Sequence, residues 1–99
     1  VRAMNERREL VEIDLSAATS PQELQMLLFR SLDFPGWYGC NWNAFWDAIT
    51  GLVEMPKHLR LVGWTEFARR LPGEAKFMQE CLNEMQEQYP NDASCVEYD

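Results

Sequence analysis

The sequence predicts an α/β fold in which a small three-stranded parallel β-sheet is flanked by helices. Three short segments indicate strands: residues 9–15 alternate apolar and acidic residues, as a strand with one buried face does, residues 58–64 alternate less cleanly, and residues 94–98 form a short final strand. Pairs of segments with helical spacing separate them, which gives the order β-α-α-β-α-α-β. Strands joined by helical crossovers run parallel in one sheet. The 99 residues suffice for one core, so we expect a single domain over residues 4–99 that leaves out Val1 to Ala3.

Composition and charge exclude several classes of function. Sixteen acidic and nine basic side chains give a net charge of −7. This charge argues against direct nucleic-acid binding and favours a basic protein partner. No apolar run approaches the ~18 residues of a membrane-spanning helix, and no secretory signal is recognisable, so we expect no membrane association.

The three cysteines, Cys40, Cys81 and Cys95, have no paired spacing. Free thiols are typical of a reducing compartment, so we expect a cytoplasmic protein. His58 is the single histidine, and with these thiols it lacks the spacing of a zinc site. No glycine-rich phosphate loop is present. We therefore expect neither a metal nor a cofactor.

The first half of the chain begins with a strand, Glu9 to Leu15, followed by a polar connector. Ser20, Pro21 and Glu23 then form a capping box that opens the first helix. Phe34-Pro35-Gly36 ends that helix. Its core stripe comprises Leu24, Leu27, Leu28 and Leu32.

Asn41 can cap a second helix, which Gly51 interrupts and Pro56 closes. Helical spacing sorts the side chains of this second helix into two stripes, an apolar one and a more polar one. One is apolar and should face the core; it comprises Trp42, Phe45, Ile49 and Leu52 or Val53.

The second half begins with a strand over His58 to Trp64 and a short helix over Thr65 to Leu71, ended by Pro72-Gly73. A final helix spans Glu74 to Tyr89, and a strand spans Ser94 to Tyr98. The side chains of the final helix expected to face inward are Phe77, Met78, Cys81, Leu82 and Met85.

The other stripe of the second helix combines Asn43, Trp46, Asp47 and Thr50. A solvated helix face normally carries Lys, Glu and Gln, whereas these side chains are typical of interface hot spots. An alternative is a cysteine enzyme, in which Cys40 near a helix N-terminus acts with His58 and Asp47. No motif joins these three residues, so we expect a binding protein and not an enzyme.

The segment from Trp37 to Asp47 reads WYGCNWNAFWD, and Thr50-Gly51 and Glu54-Met55-Pro56 follow it. This segment resembles the barstar family of intracellular ribonuclease inhibitors. The family pattern is aromatic-Tyr-Gly-x-Asn-apolar-Asp-Ala-apolar-Trp-Asp, then Thr-Gly and Glu-x-Pro. The resemblance implies a barstar-like fold and inhibition by insertion of the loop and second helix into a nuclease active site, where Asp47 mimics a substrate phosphate.

The resemblance also assigns the partner-binding residues. Trp37 stands at the position of a contacting tyrosine. Asn43 replaces a second interface aspartate, and Leu52 replaces an aromatic contact. An acidic residue of the last helix is expected to contribute, with Glu80, Glu84 and Glu87 as candidates. The full set is Trp37, Gly39, Asn41, Asn43, Trp46, Asp47, Thr50, Gly51 and Leu52.

These features predict an immunity protein that binds a cognate secreted ribonuclease toxin, with a basic active site, in a 1:1 complex. Two alternatives stay open. The same surface could neutralise a non-nuclease toxin or regulate another protein, and the cysteine enzyme is the third interpretation.

Overall fold

The sheet contains three parallel strands in the order β1-β2-β3. The computed structural model describes residues 7–99, so the boundary predicted at residue 4 lies outside the described residues. The strands are β1 (Leu10–Asp14), β2 (His58–Val62) and β3 (Cys95–Tyr98). Four helices accompany them, so the predicted α/β fold is confirmed. These helices are α1 (Pro21–Ser31), α2 (Trp42–Asp47), α3 (Trp64–Arg70) and α4 (Pro72–Gln88).

One face of the sheet is buried against the helices. Ile13 lies opposite Leu61 in the register of β1 and β2, and both are fully buried. On the other face, Arg60 of the central strand makes ion pairs with Glu12 at 3.0 Å and with Asp99 at 2.5 Å. Hydrophobic burial on one face and charge pairing on the other therefore account for the alternation in the sequence.

Local capping signals set where α1 begins. Ser20 accepts a hydrogen bond from the backbone N–H of Glu23, as a capping box requires. The Glu23 carboxylate reaches back to Thr19, accepting from its backbone N–H at 3.0 Å and from its hydroxyl. These bonds lower the pKa of Glu23, the hydroxyl contributing most. The Glu23 side chain therefore contacts Thr19, one residue before Ser20, whose backbone N–H it would contact in a capping box.

β1 and β2 are shorter than predicted at their carboxyl ends, whereas β3 ends at Tyr98 as predicted. Leu15 begins a short 3₁₀-helix (Leu15–Ala17). Gly63 adopts a φ of +76°, and this left-handed residue ends β2 so that Trp64 can open α3. Pro72 does not end α3 in the way the sequence indicated; it opens α4, because proline is tolerated at the first helical position.

The predicted inward face of α4 is partly wrong. Met78, Leu82 and Met85 are buried, but Cys81 is half-buried and Phe77 is 53% exposed. The helix starts two residues earlier than expected, and its buried stripe comprises Ala75, Met78, Leu82 and Met85, with Phe77 about 100° around the helix from Met78. Phe77 consequently lies on the flank of α4 that faces α2.

The second helix departs from regular geometry at its end. After Asp47 the chain forms a π-helical turn (Ala48–Leu52), in which the N–H of Val53 donates to the carbonyl of Ala48 at 3.1 Å. A π turn contains more residues than an α turn, so the 3.6-residue spacing fails there. Leu52 is therefore 43% exposed, which corrects its alternative assignment to the core stripe, while Val53 is half-buried.

A candidate protein-binding surface

The loop before α2 points two neighbouring aromatic side chains in opposite directions. Trp37 is 72% exposed, whereas Tyr38 is only 8% exposed. The Tyr38 ring lies 4.7 Å from that of Phe34 and 6.2 Å from that of Phe29, measured between ring centroids. The loop is therefore attached to the core through Tyr38 while it presents Trp37 to solvent.

A buried polar contact completes this attachment. The Tyr38 hydroxyl donates a hydrogen bond of 2.5 Å to Oε1 of Gln25, a buried residue of α1. Burial raises the pKa of Tyr38 well above its usual range, so the hydroxyl remains protonated at neutral pH. The sequence interpretation assigned no role to either residue, because tyrosine in a loop and glutamine on a helix are common surface residues.

Asn41 fixes the start of α2, as predicted. Its Oδ1 accepts from the N–H of Ala44 at 2.7 Å, and its Nδ2 donates to the carbonyl of Gly39 at 3.2 Å. Cys40 between them has a φ of +56°. The left-handed turn and the cap together direct the chain from the loop into the helix.

The polar stripe of α2 faces outward. Asn43 and Asp47 are exposed, and Trp46 and Thr50 are half-buried. The Trp46 ring lies 6.5 Å from the ring of Tyr89 at the end of α4, and the Thr50 hydroxyl donates to the carbonyl of Trp46 at 2.6 Å. Asp47 is thus an exposed carboxylate next to Trp46, whose ring already packs against Tyr89.

A groove of about 360 Å³ lies at the end of this stripe. Arg7 lies on its wall and donates to the backbone carbonyls of Met55 at 2.8 Å and Pro56 at 3.1 Å. It also donates to carbonyls of the segment between α4 and β3, so one side chain joins three parts of the chain. The remaining groove residues are Ile49, Thr50, Gly51, Leu52, Val53, Glu54 and Asp92.

Trp42 is half-buried and not part of the inner core, in contrast to the prediction. Its indole N–H donates to the Glu74 carboxylate at 3.0 Å, and its ring stacks on Phe77 at 6.5 Å. These contacts join the first turn of α2 to the first turns of α4. They also identify the flank of α4 that lies beside the candidate surface.

Of the three acidic candidates on α4, Glu84 lies closest to this flank. It follows Phe77 by seven residues, and such a spacing rotates a side chain by only about 20° around the helix. Glu80 and Glu87, three and ten residues from Phe77, are rotated further toward solvent. Burial and then the neighbouring Glu84 and Glu80 raise the pKa of the Cys81 thiol on the same side.

Comparison with known proteins agrees with this geometry. The family model described as Barstar (barnase inhibitor) matches residues 8–98. The chain belongs to the barstar family. It is 39% identical over 66 residues to a Bacillus subtilis (strain 168) protein named "Putative ribonuclease inhibitor YrdF". That alignment covers 66% of this chain and 71% of the relative. Membership in a family of inhibitors supports a role resembling that of a barnase inhibitor.

The residues assigned by the barstar resemblance lie in one continuous stretch of the chain, from the loop before α2 to the π turn after it. Trp37, Gly39 and Asn41 lie in the loop or cap, and the others lie on α2 or its π turn. All are exposed except Trp46 and Thr50, which are half-buried. Their exposure makes them available to a partner, and their role in binding stays a prediction.

The structure does not assemble the residues of the cysteine-enzyme interpretation. His58 is exposed at the start of β2, where its alternation with buried Leu59 places it on the outer face of the sheet. Cys40 precedes α2, which packs on the buried face. Within residues 7–99, no cluster of His, Cys, Asp or Glu is arranged to hold a metal ion. None of the helices in that range is long and apolar enough to cross a membrane.

Proposed function

We propose that this protein is an immunity-type inhibitor that occupies the active site of a cognate secreted ribonuclease. In this proposal, the loop around Trp37 and the outward stripe of α2 enter the nuclease, and Asp47 faces its basic catalytic side chains. The observation that carries the proposal is the exposure of Asp47 between Asn43 and Thr50, beside the packed indole of Trp46.

The charge of the surrounding helices supports a cationic partner. Residues 42–52 contain no Lys or Arg, and α4 contains one lysine, Lys76, among its four glutamates. A carboxylate in such surroundings binds Arg, Lys or His through charge-assisted hydrogen bonds. A ribonuclease active site presents those groups because it must stabilise phosphate.

The proposal has three further parts. The complex is 1:1, since the candidate surface is one contiguous face of one chain. The inhibitor acts in the cytoplasm, in keeping with its three free thiols. It does not bind RNA itself, because its excess of acidic side chains repels phosphate.

Replacement of Asp47 by alanine tests the proposal, with catalytically inactive barnase as the first probe. Removing the carboxylate leaves buried cations of the partner unpaired, which costs ~2–5 kcal/mol. We expect Asp47→Ala to weaken binding at least ~30-fold, since each ~1.4 kcal/mol is tenfold. The fold should persist, because an exposed Asp→Ala change on a helix gains helix propensity. Calorimetric affinity and thermal melting of the variant provide the two measurements.

Glu87→Ala is the matched control, because Glu87 is an exposed acid of α4 that points away from α2. It removes the same charge and should change the affinity less than about threefold. Equal losses for the two variants would contradict a specific role for Asp47. A large fall in melting temperature of Asp47→Ala with normal binding would make Asp47 a structural residue.

Two differences from the family pattern favour a second candidate function, in which the same surface binds a partner that is not a ribonuclease. Asn43 is exposed and uncharged, and Leu52 presents an aliphatic side chain where the family has an aromatic contact. Tight binding to a protein without inhibition of RNA cleavage would favour this candidate. Inhibition of RNA cleavage that Asp47→Ala abolishes would favour the ribonuclease.

A further inference from the structure

The buried pair formed by Gln25 and Tyr38 connects α1 to the candidate binding loop. Gln25 is 3% exposed, which is unusual for glutamine, and its Oε1 is the acceptor for the Tyr38 hydroxyl. The two residues are thirteen positions apart, so the contact is tertiary and not part of a local turn. The Tyr38 hydroxyl also lies 3.5 Å from the carbonyl of Asn41, a much longer contact, so Gln25 is its main partner and losing that bond costs stability.

The same loop contains little other structure that could fix it. The Tyr38 N–H donates to the carbonyl of Pro35 at 2.9 Å, and the Asn41 amide bridges back to Gly39. These two bonds lie within the loop, and the Asn41 cap attaches only its end to α2, so neither holds the loop against α1. The Tyr38 side chain makes the attachment, through its ring contacts with Phe29 and Phe34 and its hydroxyl bond to α1.

We propose that Gln25 is a positioning residue that holds the loop around Trp37 in its binding conformation without touching the partner. The inference rests on the proposed function, because an ordered loop affects binding only if that loop contacts the partner. Ring packing alone tolerates rotation of Tyr38 within its pocket, whereas the hydrogen bond fixes the position of its hydroxyl end. Since Trp37 immediately precedes Tyr38, anchoring Tyr38 also restrains the backbone that carries Trp37.

Loss of the hydrogen bond between Gln25 and Tyr38 is expected to reduce the fraction of molecules in which the loop has its binding conformation. The apparent dissociation constant rises in inverse proportion to that fraction. If loss of the bond leaves about one molecule in ten with the loop in place, the affinity falls about tenfold. The loss should appear in the association rate, because the contacts of the completed complex are unchanged.

The experiment uses Gln25→Leu, Tyr38→Phe and the double variant. Each single change leaves one buried polar group unpaired and should lower the melting temperature. The double variant replaces both groups by apolar ones, which restores much of the stability but not the bond. Hydrogen exchange of the Tyr38 amide, which donates to the Pro35 carbonyl, relative to the amides of β2, reports the order of the loop without any partner. Surface plasmon resonance with inactive barnase reports association.

Gln86→Leu is the matched control. Gln86 of α4 donates to the carbonyl of Ser94 at 2.9 Å and thus holds a different loop. We expect at least tenfold faster exchange of the amide of residue 38 in all three Gln25 and Tyr38 variants, including the restabilised double variant, and no such change in Gln86→Leu. Association with barnase should slow about tenfold in the same three proteins.

The outcomes separate the inference from the proposed function. Unchanged loop exchange in the double variant would overturn the positioning role, whatever the binding result. Faster loop exchange with normal association would also overturn it, because the loop order would then be irrelevant to binding. If the unmodified protein neither binds nor inhibits a ribonuclease, the proposed function fails, and the inference, which rests on it, fails too.

Discussion

At the scale of single residues, Cys40 adopts a backbone conformation that suits glycine. Its φ of +56° costs an L-residue roughly 1–2 kcal/mol, more than the ~0.5–1 kcal/mol that a glycine loses in entropy. We expect Cys40→Gly to raise the free energy of unfolding by roughly 0.5 kcal/mol. Cys40→Ser, which keeps the strain, should leave it within about 1 kcal/mol of the unmodified value. Urea denaturation of the three proteins measures both effects.

The serine variant also tests whether the thiol takes part in function. Cys40 is exposed and lies on the side of the molecule away from His58, so we expect partner binding to change by less than about 1 kcal/mol. A hundredfold weaker complex would show that the thiol itself contributes and would revive the cysteine-enzyme interpretation.

Gly51 presents the opposite case, a glycine that the fold does not require. Its φ is not positive, and a Cβ atom placed on it meets no atom of the described residues within 4 Å. Alanine should therefore raise the free energy of unfolding by ~0.5–1 kcal/mol. We expect Gly51→Ala nevertheless to weaken partner binding at least ~10-fold, about 1.4 kcal/mol, because the added methyl group separates the two backbones. Thermal melting and calorimetric titration measure the two effects.

Gly73→Ala is the control for this prediction. Gly73 lies in the first turn of α4, outside the candidate surface, and its Cβ position is equally open to solvent. This variant should gain similar stability and bind normally. If Gly51→Ala binds as tightly as Gly73→Ala, the partner does not approach the backbone of the π turn.

At the scale of elements, α4 contributes to the candidate surface through one flank. Glu84 lies two turns after Phe77 on that flank, whereas Glu87 is rotated away from it. We expect Glu84→Gln to weaken partner binding by ~1 kcal/mol, about fivefold, as is usual for a charge at the rim of an interface. Calorimetric titration of Glu84→Gln and of Glu87→Gln measures the two affinities. A larger loss for Glu87→Gln would show that Glu87, and not Glu84, belongs to the candidate surface.

Local signals explain why much of this architecture could be predicted from the sequence. Alternation identified the strands, and the caps at Ser20 and Asn41 identified where α1 and α2 begin, since both depend on a few adjacent residues. The π turn could not be predicted, because it depends on how the end of α2 packs. The exposure of Phe77 was missed because this residue lies at the edge of the apolar stripe, where burial depends on how α2 packs against the helix.

The residues of the candidate site also differ in whether the sequence could predict them. Its outward residues were recognised by their motif, including Asp47 and Trp46. Gln25 and Tyr38 were missed, because a hydrogen bond across thirteen residues leaves no periodic signal. The spacing of α1 does place Gln25 on the buried stripe, three residues before Leu28 and seven before Leu32, but a polar side chain was not counted as part of that stripe.

At the scale of the whole molecule, the charges are unevenly distributed. Ion pairs on the outer face of the sheet and on α3 use Lys57, Arg60 and Arg69. The carboxylates of α2 and α4 take part in none of these pairs. Asp47 and Glu84 are exposed and belong to none of these ion pairs, so their charges remain available to attract a cationic protein.

This asymmetry predicts a salt-dependent association rate. Long-range attraction is screened over a Debye length of ~8 Å at physiological ionic strength. We expect the association rate constant with the partner to fall as NaCl is raised, while the dissociation rate constant changes much less. Stopped-flow fluorescence over a range of NaCl concentrations measures both. An association rate that is independent of salt would contradict electrostatic steering, even for a tight complex.

The opposite orientation of Trp37 and Tyr38 has a consequence for how such a protein evolves. Selection for a stable fold acts on the inner residue, and selection by a partner acts on its neighbour, although one peptide bond joins them. Trp37 and Cys40 can therefore be exchanged as a partner's surface drifts, without any new scaffold. Proteins of this kind can therefore keep binding a partner whose surface changes by substituting a few exposed side chains, while the buried residues that maintain the fold stay the same.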